Sequence, residues 1–279
     1  MDRGPLGSLA RDVTEALATS PPARLDQSTG ARSNHPVKAP SSRIVVACAA
    51  VALASGALGE RVAAAQPPDA ELLARLGKQA TGFEDLFKRA TFKVHAVVEE
   101  LDGDGKVASR KTVVSHVEAN GTTRHRVIDS CTKDGEDCKA KEEERVRKEE
   151  AKHDDDDDDD MRSPFLPAEQ ARYVFDQVAV DSTDPARVKI TFSPKSPDKH
   201  SVAGEAWVDT GAGGVVSAAA RLVKTPMFVD WVHVSVELGA PTPVGPAPSK
   251  MTFEGQGGFL FITHKHFRAE VALSDYRLP

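Results

Sequence analysis

Two histidines near the C-terminus have the spacing that most resembles a metal site. His264 and His266 are alternate residues of a segment with strand character, and alternate residues of a strand point to the same face. They would supply half of a tetrahedral zinc shell, and a third ligand would have to be His233 or Asp230. Cationic residues flank the pair, which favours a solvated polar face, so we predict no metal site.

Two other segments imitate ligand-binding loops. Residues 255–258 (GQGG) are glycine-rich but precede a strand, so no helix N-terminus follows them to receive a phosphate. Residues 102–106 (DGDGK) begin like a calcium-binding EF-hand loop, yet the twelfth position is Val113, where a bidentate glutamate is needed. We interpret the first segment as a turn or a bulge and the second as a hairpin turn.

The sequence contains no recognisable catalytic motif. It has no G-x-S-x-G elbow, no H-E-x-x-H and no cysteine in an active-site pattern. Carboxylates are numerous, but nothing distinguishes a catalytic pair from surface charge. We therefore predict a non-enzymatic protein that needs no cofactor, and a zinc-dependent hydrolase built on His264 and His266 ranks behind the binding functions described below.

The charge balance excludes further classes of protein. The chain has 279 residues, of which 36 are lysine or arginine and 42 are aspartate or glutamate, for a net charge of -6. No long basic stripe is present to displace counterions from phosphates, so we predict no nucleic-acid partner. A multi-span membrane protein is also excluded, because the chain lacks an apolar run of 18 residues.

The first 65 residues are predicted to lie outside the fold. Residues 1–40 lack apolar periodicity and are typical of a disordered leader, or of an upstream extension if translation starts near Val37. Residues 41–65 combine a basic start, an apolar stretch at 44–58 and the tripeptide AAA at 63–65, which are the three parts of a secretory signal peptide. We therefore predict a periplasmic or secreted protein.

A charged insertion is predicted at residues 132–163. Its first part is polar all round and its second part contains seven consecutive aspartates at 154–160, so it gains nothing from packing and repels itself. We expect a partly helical and otherwise disordered segment. Calcium capture is disfavoured because the run lacks the interleaved glycine and the distal glutamate of calcium loops. Cys131 and Cys138 are predicted to form a disulfide at its base, since disulfides persist in exported proteins.

The remaining chain is predicted to be one α+β domain spanning residues 66–279. Residues 69–89 have helical periodicity, with a possible interruption at Gly77 or Gly82, and the period then changes to two. Three strands in meander order fit residues 92–128, and further strands follow Pro167. Seven to ten antiparallel strands with one leading helix indicate a curved sheet packed on an N-terminal helix.

The C-terminal half resembles the outer-membrane lipoprotein-sorting superfamily, the LolA/LolB-like periplasmic carriers. The likeness lies in the hairpin strands 204–209 (GEAWVD) and 218–222 (AAARL) and in the end of the last strand at 274–277 (SDYR). The resemblance implies an open half-barrel of antiparallel strands around helices, with an apolar cavity for acyl chains. The chain departs from the carriers in its acidic insertion and in its few helices after the first.

The expected function follows from the predicted sheet and from this resemblance. The first hypothesis is an exported envelope protein, expected to be a monomer, that binds lipid or lipoprotein acyl chains and makes peripheral contact with envelope membranes. The alternative is an interaction module whose groove is filled by its own side chains and whose acidic arm binds cations or basic partners. The candidate cavity-facing residues, each of which could equally form a dry core, are Phe92, Val94, Trp207, Phe228, Val232, Val234, Phe259 and Phe261.

Overall fold

The computed structural model describes residues 60–120, 123–152, 162–225, 229–259 and 263–278. The helices are α1 (Ala70–Arg89), α2 (Lys139–Lys152) and α3 (Pro167–Gln170). The strands are β1 (Glu60–Gln66), β2 (Thr91–Leu101), β3 (Val107–Asn120), β4 (Thr123–Lys133), β5 (Glu136–Asp137), β6 (Tyr173–Asp181), β7 (Arg187–Pro194), β8 (Val202–Asp209), β9 (Gly214–Leu222), β10 (Val229–Ala240), β11 (Ala247–Phe259) and β12 (Thr263–Arg277).

All of these strands belong to one antiparallel sheet. Their order is β1-β6-β7-β8-β9-β10-β11-β12-β2-β3-β4-β5, so the sheet is open, with β1 and β5 at its two edges. The last strand, β12, pairs with β2 and thereby joins the N-terminal meander to the C-terminal strands. The α+β prediction is confirmed, although the 12 strands exceed the seven to ten that the sequence indicates.

The N-terminal meander is formed by β2, β3 and β4, as predicted. The turn between β2 and β3 is closed by the Asp102 carboxylate, which accepts hydrogen bonds from the backbone N–H groups of Asp104 and Lys106, both at 2.9 Å. This carboxylate is thus occupied by its own loop. Residues 102–106 form a hairpin turn.

Helix α1 is continuous through both of its glycines, so the predicted interruption does not occur. The carboxylate of Asp69 caps its N-terminus by accepting from the Glu71 N–H at 3.1 Å. Gly77 is buried against α3, and a methyl group at this position would lie 2.9 Å from the Gln170 side chain. The glycine is therefore explained by close packing between the two helices.

The two ends of α1 pack on different parts of the sheet. Leu72 and Leu76 belong to a cluster with residues of β6, β7 and β8, whereas Leu86 and Phe87 belong to a cluster with residues of β2, β3, β11 and β12. In a flat sheet β6 and β3 would be about 38 Å apart, whereas a 20-residue helix is about 30 Å long. The sheet therefore curls around the helix. We call the face that contacts α1 the helix side and the opposite face the outer side.

The described part of the insertion contains β5 and helix α2, where the sequence predicts a partly helical segment. Cys131 and Cys138 are joined by a disulfide, and α2 begins at the residue after Cys138. Val146 of α2 is buried against Val113 and Ile128 on the helix side. One apolar residue does not form an apolar stripe along a helix, so helical periodicity does not predict this contact. The aspartates at 154–160 lie outside the described residues.

Strand β1 covers the edge of the sheet next to β6. Residues 60–65 of this strand fall within the predicted signal peptide, and the rest of that peptide, like the predicted leader at 1–40, lies outside the described residues. Among the described helices, none is long and apolar enough to cross a membrane.

Candidate functional site

The helix side of β9 and β10 carries apolar side chains that are only half covered. Val232 is the one buried residue in the described parts of these two strands, whereas Val234 and Val236 are half-buried. The other half-buried apolar residues on this side are Val215, Ala218, Ala220, Leu222, Leu238 and Ala240. The row lies where the two core clusters meet, because its β9 members contact one cluster and Val234 and Val236 the other.

The middle of α1 is held to β9 by polar contacts. The Gln79 side-chain oxygen accepts from the Val215 N–H at 2.7 Å, and its amide nitrogen donates to the Val215 carbonyl at 3.4 Å. Arg75 donates to the Thr210 carbonyl at 3.0 Å. Gly213 permits this approach, because it has a φ of 67° and a Cβ there would lie 2.7 Å from the Arg75 side chain. Polar tethering thus replaces apolar packing in the section between the clusters.

The predicted cavity residues divide into several groups. Phe92 and Val94 are each 1% exposed and form dry core with Phe87 and Tyr276. Val232 and Val234 lie in the half-covered row described above. Phe228 and Phe261 fall outside the described residues, and of Phe259 only its backbone in β11 is described.

Trp207 lies on the outer side of the sheet, away from the other candidates. Its neighbours Ala206 and Val208 are 1% and 0% exposed on the helix side, and strand alternation therefore directs the indole outward. There the ammonium group of Lys189 lies 4.8 Å from the centre of the Trp207 ring. The expectation that Trp207 faces an interior cavity is wrong. It rested on the size of the aromatic side chain and not on the alternation of side chains along the strand.

Two of the histidines considered as metal ligands, His233 and His266, lie on the outer side. His266 is 3.0 Å from a carboxylate oxygen of Glu254, and the Trp231 ring lies between His233 and His266 at centroid distances of 4.9 and 5.6 Å. The side chain of His264 is not described. Within the described residues, no three His, Cys, Asp or Glu side chains are grouped so as to hold a metal ion.

An open groove of about 560 Å³ crosses strands β8 to β11. Most of its lining side chains lie on the outer side, and they are polar or small: Ala203, Ala219, Arg221, His233, Ser235, Thr252 and Glu254. A lining of this kind suits polar groups, whereas sites for small apolar ligands are mostly hydrophobic. The groove is therefore distinct from the half-covered apolar row.

A buried ion triad connects α2 to the sheet. Glu142 is 4% exposed and pairs with Lys111 of β3 and with Arg145, the latter at 2.7 Å. Burial alone would raise the pKa of Glu142, but the hydrogen bonds and charges of Arg145 and Lys111 outweigh burial and lower its pKa to about 2. Burial also lowers the pKa of Lys111, against the pull of Glu142. The carboxylate is therefore ionised at neutral pH.

Arg124 is a second cation on the helix side, beside the cluster that contains Phe92. Its guanidinium carbon lies 5.7 Å from the Phe92 ring centroid, and its buried Nε has no hydrogen-bond partner. Burial lowers the pKa of Arg124, and no charged partner among the described residues opposes that shift. A cation–π contact contributes about 0.5–2 kcal/mol, less than the several kcal/mol that desolvating an ion costs.

Sequence reasoning missed Lys111, Arg124 and Glu142. The sequence does indicate an inward orientation for Arg124. It alternates in phase with Arg126 and Ile128 along β4, and Ile128 is 3% exposed in the core. A charged residue in phase with a core position points toward the interior. Glu142 carried no such signal, since it is one of several glutamates in a polar helix.

Comparison with known proteins returned one structural likeness that we report. No protein-family model matches this chain, and no curated protein matches it. Among solved structures, the chain is similar to a LolA superfamily protein from Nitrosomonas europaea, over 75% of this chain and 92% of that chain. The sequence identity is 9% and the TM-score is 0.31. A likeness of this degree assigns neither a ligand nor an activity.

Proposed function

We propose that this protein is a non-enzymatic envelope carrier or sensor that binds an acyl chain or a similar hydrophobic ligand on the helix side of β9 and β10. The observation that carries the proposal is the half-covered apolar row around Val234 and Val236, which lies between two fully packed clusters. An export role rests on the signal-like segment at 41–65.

The energetic argument concerns the apolar surface that α1 leaves uncovered. Removing apolar surface from water contributes about 25 cal/mol per Å². A flexible apolar chain that lies along β9 and β10 therefore gains binding free energy from every residue of the row that it covers. The polar tethers at Gln79 and Arg75 hold the middle of α1 at β9, and the apolar side chains of the row on β10 remain half-buried. A ligand with an extended apolar chain fits such a row better than a compact polar one does.

Filling the row tests this function. We expect the variant Val236→Trp to lower the affinity for a hydrophobic fluorescent probe such as N-phenylnaphthylamine about tenfold, a loss of ~1.4 kcal/mol. The matched control is Glu237→Trp, because Glu237 is exposed on the outer side of the same strand. Native mass spectrometry of protein purified without detergent is expected to detect lipid on the wild type and less on Val236→Trp. Equal lipid retention by both tryptophan variants would contradict the proposal.

The second candidate function is an interaction module that captures cations or basic partners with the acidic arm. The observation in its favour is that the start of the arm is fixed to the sheet by the disulfide at Cys131 and by the buried Glu142. Removing residues 153–161 separates the two functions. Partner capture would be lost if the arm is the site, whereas probe binding would persist if the row on β10 is the site.

A further inference from the structure

Arg124 is a half-buried cation with a buried Nε, and neither the core nor the proposed ligand surface explains it. It lies on the helix side of β4, five strands away from β10 in the sheet order. Its guanidinium rests near the face of Phe92, whose ring is packed against Phe87 and Tyr276. The aromatic contact holds the side chain in place but offers no hydrogen-bond acceptor in its plane.

Arg124 differs from the neighbouring cations because it has no charged partner among the described residues. Arg126 is in phase with it on β4, and its Nε donates to the fully buried Ser115 hydroxyl at 3.1 Å. Lys111 and Arg145 share the carboxylate of Glu142. The Nε atoms of Arg124 and Arg145 are both buried without an acceptor, but Arg145 pairs with Glu142, whereas Arg124 has no such carboxylate among the described residues. A guanidinium matches carboxylate and phosphate oxygens through paired N–H groups, and such charge-assisted hydrogen bonds are the strong ones.

We propose that Arg124 anchors a binding site for an oxyanion, a carboxylate or a phosphate, on the helix side of β4. The Phe92 ring orients the guanidinium, and Val117, which is 7% exposed, belongs to the same core cluster as Phe92. The oxyanion is either a free ion or the headgroup of an amphiphile. The headgroup form rests on the proposed function, whereas the free ion does not.

The test compares three probes on the full chain by isothermal titration calorimetry: inorganic phosphate, octanoate and octanol. The variant Arg124→Met removes the charge and keeps an unbranched apolar stem beside Phe92. We expect it to weaken binding of the anionic probes at least about tenfold and to leave octanol binding unchanged. Arg221→Met is the control, because Arg221 is exposed and lies on the outer side. Binding of phosphate and octanoate alike would identify a free-ion site, and octanoate alone an amphiphile headgroup site.

A stability measurement keeps the proposal falsifiable. Because the charge of Arg124 is undercompensated, Arg124→Met is expected to unfold at the same temperature as the wild type or higher in chloride buffer, and phosphate or octanoate is expected to stabilise the wild type only. Anion binding unchanged by Arg124→Met would overturn the proposal. An Arg124 effect that vanishes when residues 154–160 are all changed to asparagine would overturn it too, because the anion would then be the chain's own. If octanol fails to bind while phosphate binds through Arg124, the proposed function fails and this inference stands.

Discussion

At the scale of single residues, charges placed on the helix side govern how the insertion joins the sheet. Glu142 satisfies Lys111 and Arg145 at once, so it compensates two cations in an otherwise apolar setting. A buried ion pair contributes little over an apolar replacement, but breaking one leaves an uncompensated charge. The triad therefore makes α2 sensitive to pH and to substitution.

We expect Glu142→Gln to lower the free energy of unfolding by about 3 kcal/mol, because Lys111 loses its partner in a buried place. The sign of the pH dependence follows from the pKa. The folded pKa of about 2 lies below the ordinary value of 4.5, so the contribution is complete above pH 4.5 and is lost as the pH falls toward 2. Urea unfolding at pH 7 and pH 3 measures both effects. The exposed Glu143→Gln is the control, and equal losses in the two variants would show that the triad does not matter.

At the scale of elements, α1 combines two packed ends with a polar middle. Its first half is fitted to α3 through Gly77, and Gln170 donates hydrogen bonds to the Leu73 and Phe165 carbonyls at 2.8 Å in the same contact. Its second glycine, Gly82, has open space around its missing Cβ. The same substitution is therefore expected to act in opposite directions at the two positions.

Gly77→Ala is expected to destabilise the protein by about 1 kcal/mol. The added methyl must displace Gln170, and the free-energy cost of that displacement exceeds the gain in helix propensity. Gly82→Ala is expected to stabilise it by roughly 0.5–1 kcal/mol, since alanine is the better helix former in open space. Thermal unfolding of the two variants beside the wild type checks both signs. Stabilisation by both alanines would show that α1 and α3 are not closely packed at Gly77.

At the scale of the whole molecule, the open sheet depends on how its edges are covered. Strand β1 pairs with β6 through residues 177–181. If export removes the predicted signal peptide after Ala65, the mature protein exposes the β6 edge. N-terminal sequencing of the exported protein locates the cleavage site.

A chain that begins at Gln66 is expected to fold and to melt a few degrees below one that begins at Glu60. Its amide hydrogens at residues 177–181 are expected to exchange faster, because their edge faces water once β1 is gone. Amides of β7, paired on both sides, serve as the internal reference. Unchanged exchange at 177–181 would mean that β1 does not cover this edge in solution.

The amino-acid sequence by itself determined the local elements of this protein. The period of 3.6 in α1 and the period of two in β2, β3 and β4 arise from side chains near in sequence, so the helix, the meander and the α+β class could be predicted. The alternation of side chains along the strands also indicates that Trp207 faces the outer side and Arg124 the helix side. The first orientation was missed because a large aromatic side chain suggests a core position, and the second because a charged side chain suggests the surface.

Only the tertiary structure decided which segments meet. The pairing of β12 with β2, the polar tethers from α1 to β9, and the triad of Lys111, Glu142 and Arg145 join residues that are distant along the chain. Local periodicity specifies which face of an element is apolar but not which partner covers it. The half-covered row on β10 and the unsatisfied Arg124 follow from that choice of partners, because covering one part of a curled sheet with a single helix leaves another part open.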